Sequence, residues 1–161
     1  MQEKRKEIPI AIQMAALASY NGMADDPMQV VTSGVMISEK DQTTLKYTES
    51  QEDETTGQVT DSEIQLIVGR NQVIMNRMGD YSSTMLFQRN KRFEASMRTP
   101  FGELPMAVYA REVRCDMGRD KGTVHLRYEL SMQGAYASTN EVHLEYWAKD
   151  QEPSGNHPER G

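Results

Sequence analysis

The chain has 161 residues, of which 37% are hydrophobic and 7% aromatic, and a net charge of −6. This length suits a single domain with one substantial core. The acidic balance argues against nucleic acid or an anionic membrane as a partner, because both call for basic patches. Cys115 is the one cysteine, which excludes an internal disulfide and fits a reducing compartment.

The N-terminal segment supports two interpretations. Residues 1–18 imitate a secretory signal peptide, with basic residues, an apolar stretch and a final Ala-x-Ala. Gln13 and two glutamates interrupt that pattern, and the apolar residues alternate as in a β-strand: Ile8, Ile10, Ile12 and Met14. The strand is the preferred prediction, and it implies a cytoplasmic protein. One short helical turn is expected within residues 15–27.

Alternation of apolar and polar residues recurs along the rest of the chain, whereas helical periodicity is missing from every window. Sets of apolar residues at a spacing of two predict the strands. In chain order the sets are Val31, Val35 and Ile37; Leu45 and Tyr47; Ile64, Leu66 and Val68; Val73 and Met75; Met85 and Phe87; Phe93, Ala95 and Met97; Met106, Val108 and Ala110; Val113, Cys115 and Met117; Val124, Leu126, Tyr128, Leu130 and Met132; and Val142, Leu144 and Tyr146. The change of parity at Arg111-Glu112 predicts a β-bulge.

These patterns predict an all-β fold, in which a single antiparallel meander of 8–10 strands either closes into a barrel or folds into a sandwich to protect its edges. The domain spans residues 1–148. Residues 149–161 are polar and rich in Pro and Gly, which predicts a disordered C-terminal tail. The acidic stretch at 51–57 lacks the ligand spacing of a calcium loop and predicts a solvated hairpin with its reversal at Thr56-Gly57.

Several polar residues share the inward parity of the predicted strands. These candidate ligand-binding residues are Glu49, Arg77, Tyr47, Tyr128, Ser138 and Asn140. A carboxylate and a guanidinium inside a barrel must be paired or hydrogen-bonded. One interpretation is a structural ion pair between Glu49 and Arg77 that closes one barrel end, and the other is that Arg77 binds an anionic head group.

The remaining reactive side chains do not form a recognisable site. A hairpin pivoting on Gly134 places His125 opposite His143 and Arg127 opposite Glu141 on the outer face, without a third ligand for a metal. Cys115 has no His or basic activator at a recognisable spacing, which predicts a buried, inert thiol. Phosphate-binding loops, nucleophile elbows and acid/base pairs are not found, so neither an enzyme nor a cofactor is expected.

Four segments in their order and spacing resemble the YwiB-like family, a bacterial family of uncharacterised proteins with a domain of unknown function. They are "YTES" at 47–50, "RMGDYSSTMLF" at 77–87, "RTPFG" at 98–102 and "SMQGAYASTN" at 131–140. The resemblance covers residues 28–148. It implies a calycin-type barrel, similar to lipocalins and fatty-acid-binding proteins, and it implies no activity. Its motifs fall on Glu49, Arg77, Thr99, Pro100, Gly102 and Asn140.

Two functions are therefore expected as alternatives. The first is a barrel that binds a small apolar or amphipathic anion against an adaptable methionine lining. That lining would comprise Met75, Met85, Met97, Met106 and Met132. The second is a structural or interaction protein with a filled barrel, whose acidic loop at 49–54 contacts a basic protein partner.

Overall fold

A computed structural model describes residues 6–20, 23–24, 28–52 and 55–149. Within these ranges the chain forms eleven strands joined by turns: β1 (Lys6–Tyr20), β2 (Met23–Ala24), β3 (Met28–Ser38), β4 (Thr43–Glu52), β5 (Val59–Val68), β6 (Val73–Met78), β7 (Ser82–Phe87), β8 (Arg92–Thr99), β9 (Gly102–Met117), β10 (Lys121–Met132) and β11 (Ala135–Ala148). The described residues include no helix with the length and apolar character needed to cross a membrane.

The strands form one antiparallel meander that closes on itself. From β3 to β11 each strand pairs with the next along the chain, and β3 also pairs with β1. The barrel closes through β1 and β11, in a ladder that runs from Ile10 opposite Ala148 to Ser19 opposite Thr139. In the described part of the chain ten strands thus form the barrel, while β2 only extends the end of β1. The predicted all-β barrel is confirmed.

The N-terminal segment is a strand of this barrel, as its alternation predicts. The expected helical turn is wrong, because residues 15–20 continue β1 and residues 23–24 form β2. Ala15 and Ala16 are good helix formers, but both pair with β3 on one side and β11 on the other. Two complete ladders outweigh intrinsic propensity here. Residues 21–22 and 25–27 lie outside the described ranges.

The inward parity of nearly every strand carries the predicted core. The fully buried side chains fill the barrel: Ile10, Ile12, Met36, Leu45, Leu66, Val73, Phe87, Val108, Val124, Leu126, Leu144 and Tyr146. Burial of each such side chain contributes about 1.5–3 kcal/mol relative to exposure. Tyr146 closes one end of this column, where its hydroxyl donates a hydrogen bond to the Gly118 carbonyl at 2.6 Å.

Strand β3 has the opposite parity from the one expected. Its inward residues are Val30, Thr32, Gly34 and Met36, which lie opposite inward residues of β1, whereas Val31 is 78% exposed. The reason is a close approach at Gly34. A Cβ at this position would lie 2.3 Å from the Lys46 carbonyl oxygen and 3.1 Å from the Tyr47 Cβ. Only glycine lets β3 and β4 meet at this point.

The turns and the bulge follow the sequence closely. Arg127 pairs with Glu112 and Tyr128 with Ala110, so Arg111 is the extra residue of a β-bulge at the predicted position. Gly57 and Gly134 have positive φ in the β4–β5 and β10–β11 turns. Residues 53–54, within the acidic stretch, lie outside the described ranges, as do residues 150–161 of the predicted tail.

The two ends of the barrel differ in surface chemistry. The C-terminal ends of β1, β4, β6, β8 and β10 lie at one end of the barrel, called the apolar end below. This end carries the exposed large hydrophobic side chains of the described residues, which are Tyr20, Met23, Met28, Val31, Val59, Met78, Tyr81, Phe101 and Tyr136. Loops after β3, β5, β7 and β9 form the opposite, charged end, whose exposed cations include Lys40, Arg70, Arg89, Lys91 and Arg119.

Two pairs of neighbouring strands separate before their ends, which opens the wall. Strands β3 and β4 pair only from Ser38–Thr43 to Gly34–Tyr47, so they diverge toward the apolar end. Strand β8 begins opposite Tyr109 of β9, so residues 111–117 extend beyond it toward the charged end. Both openings are the places where side chains of the interior meet solvent.

Gly34→Ala should lower the free energy of unfolding by about 1–3 kcal/mol, because the added methyl group enters a filled space beside the Lys46 carbonyl. Chemical denaturation checks this value. Gly69→Ala is the matched control, because its nearest neighbour would be 3.7 Å away and little change is expected. A Gly34→Ala protein as stable as the original chain would contradict the proposed role of this contact.

Candidate functional site

A pocket of about 300 Å³ lies in the barrel interior near the apolar end. It brings together five of the six predicted site residues and three methionines of β1, β6 and β7: Tyr47, Glu49, Arg77, Tyr128, Asn140, Met14, Met75 and Met85. Met28 of β3 also lines it, so the pocket extends to the place where β3 and β4 diverge. The alternation of separate strands thus converges on one site.

Glu49 and Arg77 form an ion pair across the interior. Arg77 Nη1 donates to Glu49 Oε1 at 2.8 Å. Glu49 is 5% exposed and Arg77 27% exposed, so the carboxylate is buried behind the guanidinium. Among the described residues, only Nη1 of the Arg77 guanidinium has a partner, so its other N–H groups are available to a ligand. The expected ion pair is present.

Two tyrosines, Tyr47 and Tyr128, line the same pocket. The Tyr128 ring packs against Phe87, with centroids 4.8 Å apart, and burial raises the pKa of its hydroxyl to about 12. Burial, followed by the charge of Glu49, also raises the pKa of Tyr47. Both hydroxyls therefore remain protonated donors at neutral pH.

These hydroxyls are poorly satisfied within the described residues. Tyr47 donates only to the Met14 sulfur at 3.8 Å, a weak acceptor. The Tyr128 hydroxyl has no hydrogen-bond partner in the part of the chain that the structure describes. Tyr128 is nevertheless buried, at 8% exposure. A buried hydroxyl without a partner is costly, so the pocket presents a donor that a bound molecule or water can satisfy.

Ser138 and Asn140 occupy successive inward positions of β11. Asn140 Nδ2 donates to Ser138 Oγ at 2.9 Å, and Ser138 is buried. Asn140 lines the pocket but Ser138 does not. Ser138 thus fixes the orientation of the Asn140 amide. Of the six predicted residues, Ser138 is the one that does not line the pocket.

The sequence interpretation missed the residues that create the space. Ala16 and Ala18 line the pocket, in a row that continues the inward parity of Ile10, Ile12 and Met14. These are the alanines of the apparent Ala-x-Ala cleavage site. Their small side chains leave room that a longer residue would fill. The sequence signal for this space was the change from isoleucine to alanine along the inward parity of one strand.

The outer-face histidines pair as predicted. His125 lies opposite His143, with ring centroids 5.7 Å apart. Arg114 Nη2 donates to His125 Nδ1 at 3.1 Å, and His125 Nε2 contacts Glu141 Oε2 at 3.0 Å. This arrangement suits an imidazole with its proton on Nε2. Groups of three or more potential metal ligands are not found among the described residues.

The expectation that Cys115 is buried is wrong. The residue is exposed rather than buried, because it lies in the part of β9 that extends beyond β8. Desolvation of its thiol nevertheless raises the pKa to about 11. The thiolate, which is the reactive form, is therefore scarce at neutral pH.

A double-mutant cycle should measure the Glu49–Arg77 interaction. Arg77→Met leaves a buried carboxylate without its cation, and a loss of about 2–4 kcal/mol in unfolding free energy is expected. Glu49→Gln in the same chain should restore part of it, giving a coupling energy of about 1–3 kcal/mol.

The control is the pair Arg98–Glu103, whose side chains are 72% and 59% exposed. Its coupling should stay below about 1 kcal/mol. Equal coupling energies in the two cycles would show that burial does not strengthen the Glu49–Arg77 pair.

Comparisons with known proteins identify the family but leave its activity open. A protein described as the ywiB protein from Bacillus subtilis has a crystal structure that aligns with a TM-score of 0.75 at 18% identity, covering 89% of this chain and 94% of that one. A Bacteroides ovatus structure of unknown function aligns with a TM-score of 0.36 at 8% identity, covering 89% and 41%. Curated proteins give no match. The family model for a domain of unknown function, DUF1934, matches residues 12–144, so this chain belongs to the DUF1934 family.

Proposed function

We propose that the protein binds a small amphipathic anion in the pocket at the apolar end. The observation that carries this proposal is Tyr128, which is buried, lines a methionine-rich pocket and has no hydrogen-bond partner for its hydroxyl among the described residues. A ligand that accepts a hydrogen bond removes this unfavourable state.

The polar groups of the pocket select an acceptor. Tyr47 and Tyr128 are protonated donors, and Arg77 has N–H groups beyond the one that binds Glu49. Arg77 is more exposed than its partner, so the positive member of the pair is the one that a ligand meets. A carboxylate or a similar head group would receive hydrogen bonds from all three.

The apolar part of the pocket limits the size of the ligand. Met14, Met28, Met75 and Met85 supply flexible side chains that adapt to different shapes. A volume of about 300 Å³ lies at the small end of ligand pockets. The packed core below it keeps the ligand near the mouth, so a short chain fits better than a long fatty acid.

We propose binding rather than catalysis, because Glu49, the carboxylate buried in the pocket, is already engaged by Arg77. A cytoplasmic location belongs to the same proposal. The exposed Cys115 has no second cysteine in the chain with which to form a disulfide, which suits a reducing compartment.

Binding of three six-carbon probes should distinguish the head groups. Hexanoate should bind more tightly than hexanamide, and hexylamine should bind weakest, because the pocket offers donors and a guanidinium. Tyr128→Phe should weaken hexanoate by about tenfold, the equivalent of one hydrogen bond to a charged group. NMR titration of the pocket methionine methyl groups measures all four constants.

Tyr109→Phe removes a hydroxyl outside the pocket and is the matched control, with unchanged affinity. Hexylamine binding as tightly as hexanoate would exclude an anion site. An unchanged affinity in Tyr128→Phe would show that the unpartnered hydroxyl does not contact the ligand.

The surface of the apolar end favours a second candidate function, contact with a protein partner. Exposed hydrophobic side chains there include Phe101, at 91% exposure, and they surround exposed carboxylates of Glu52, Asp61, Asp80 and Glu103. An apolar surface of this kind is typical of interaction sites. The acidic residues would favour a basic partner.

A photo-crosslinking amino acid in place of Phe101 should give a discrete adduct in cells, whereas the same residue in place of Lys40 at the charged end should not. Mass spectrometry of the adducts provides the measurement. Equal adducts at both positions would show that the apolar end has no preferred partner.

A further inference from the structure

One stretch of strand in the barrel wall is paired on a single side. Residues 112–117 of β9 form a ladder with β10, whereas β8 reaches only to Tyr109. The turn after β7 meets β9 at Ala110, where Arg89 forms an isolated parallel β-bridge and Asn90 N donates to the Ala110 carbonyl at 2.7 Å. Beyond Ala110, no described strand pairs with this edge. Alternate residues of an edge strand present N–H and C=O groups outward.

A groove of about 1010 Å³ runs along this edge. One wall is β9 itself, from Val113 to Met117, and the opposite wall consists of the β5–β6 and β7–β8 turns. Because five consecutive residues of β9 line the groove, its backbone as well as its side chains is accessible there. The groove therefore has the form that an added strand requires.

The opposite wall is basic, although the chain as a whole has a charge of −6. Arg70, Arg89 and Lys91 are exposed and line the groove. None of the three forms an ion pair with a carboxylate of the described residues. Arg114 adds a fourth cation, which contacts Glu112 at 3.5 Å, and Asp116 is the one carboxylate in the lining.

We propose that this groove binds an extended acidic peptide segment of another protein, which adds to the edge of β9 as a further strand. Backbone hydrogen bonds to the edge would provide affinity, and carboxylates facing Arg70, Arg89 and Lys91 would provide selectivity. An edge of six residues spans about 20 Å, at about 3.3 Å per residue. The site is separate from the ligand pocket and does not depend on the function proposed for it.

The probe is a fluorescein-labelled peptide of about ten residues that alternates Glu with Thr, titrated into the full chain at low salt. Anisotropy should show binding that weakens as salt is added. Amide hydrogen exchange should slow at residues 112–117 when the peptide is present. Lys91→Glu should weaken binding by about tenfold or more.

Two controls separate strand addition from general charge attraction. Lys40→Glu makes the same change of charge at the same end but outside the groove, and should alter affinity by less than about threefold. A peptide with the same side chains but N-methylated at alternate residues keeps its charge and loses the donors of one edge. It should bind at least about tenfold more weakly.

Three results would overturn the proposal. They are equal binding of the N-methylated peptide, equal effects of Lys91→Glu and Lys40→Glu, and failure of the acidic peptide to bind or to protect residues 112–117. Protection of this edge that rises with protein concentration alone would also overturn it, since a second copy of the chain would then be the occupant.

Discussion

The ladder between β1 and β11 is the interaction on which the rest of the structure depends. It closes the meander, and closure gives every strand an inside and an outside. An inward polar side chain then has only the other strands as neighbours. Glu49 of β4 and Arg77 of β6 flank β5 on this inner face, where their side chains form an ion pair at 2.8 Å.

Alternation made much of this site predictable from sequence. Glu49, Arg77, Tyr128 and Asn140 each continue an apolar set at a spacing of two, so their inward direction follows from local sequence alone. Hairpin register was equally accessible, because Gly134 marks the reversal that places His125 opposite His143. These are properties of a single strand or of two adjacent ones.

Features that depend on three strands could not be predicted in this way. The exposed Val31 and the inward Gly34 reverse the apparent parity of β3, and the reason is the approach of Lys46 and Tyr47 from β4. The lengths of the ladders are also features that depend on three strands. The point at which β3 diverges from β4 and the point at which β9 extends beyond β8 follow from strand tilt in the closed barrel. The sequence alone shows neither point.

The pocket at the apolar end and the basic groove are close to one pair of residues. Tyr128, which lines the pocket, lies opposite Ala110 at the β-bulge. The Ala110 carbonyl accepts the hydrogen bond from Asn90 that holds the β7–β8 turn against β9, and this turn carries Arg89 and Lys91 of the basic groove. The Tyr128 ring also packs on Phe87, the last residue of β7. Tyr128 and this turn are therefore linked through two neighbours, Ala110 and Phe87. The pocket and the groove are joined by these contacts as well as by the fold.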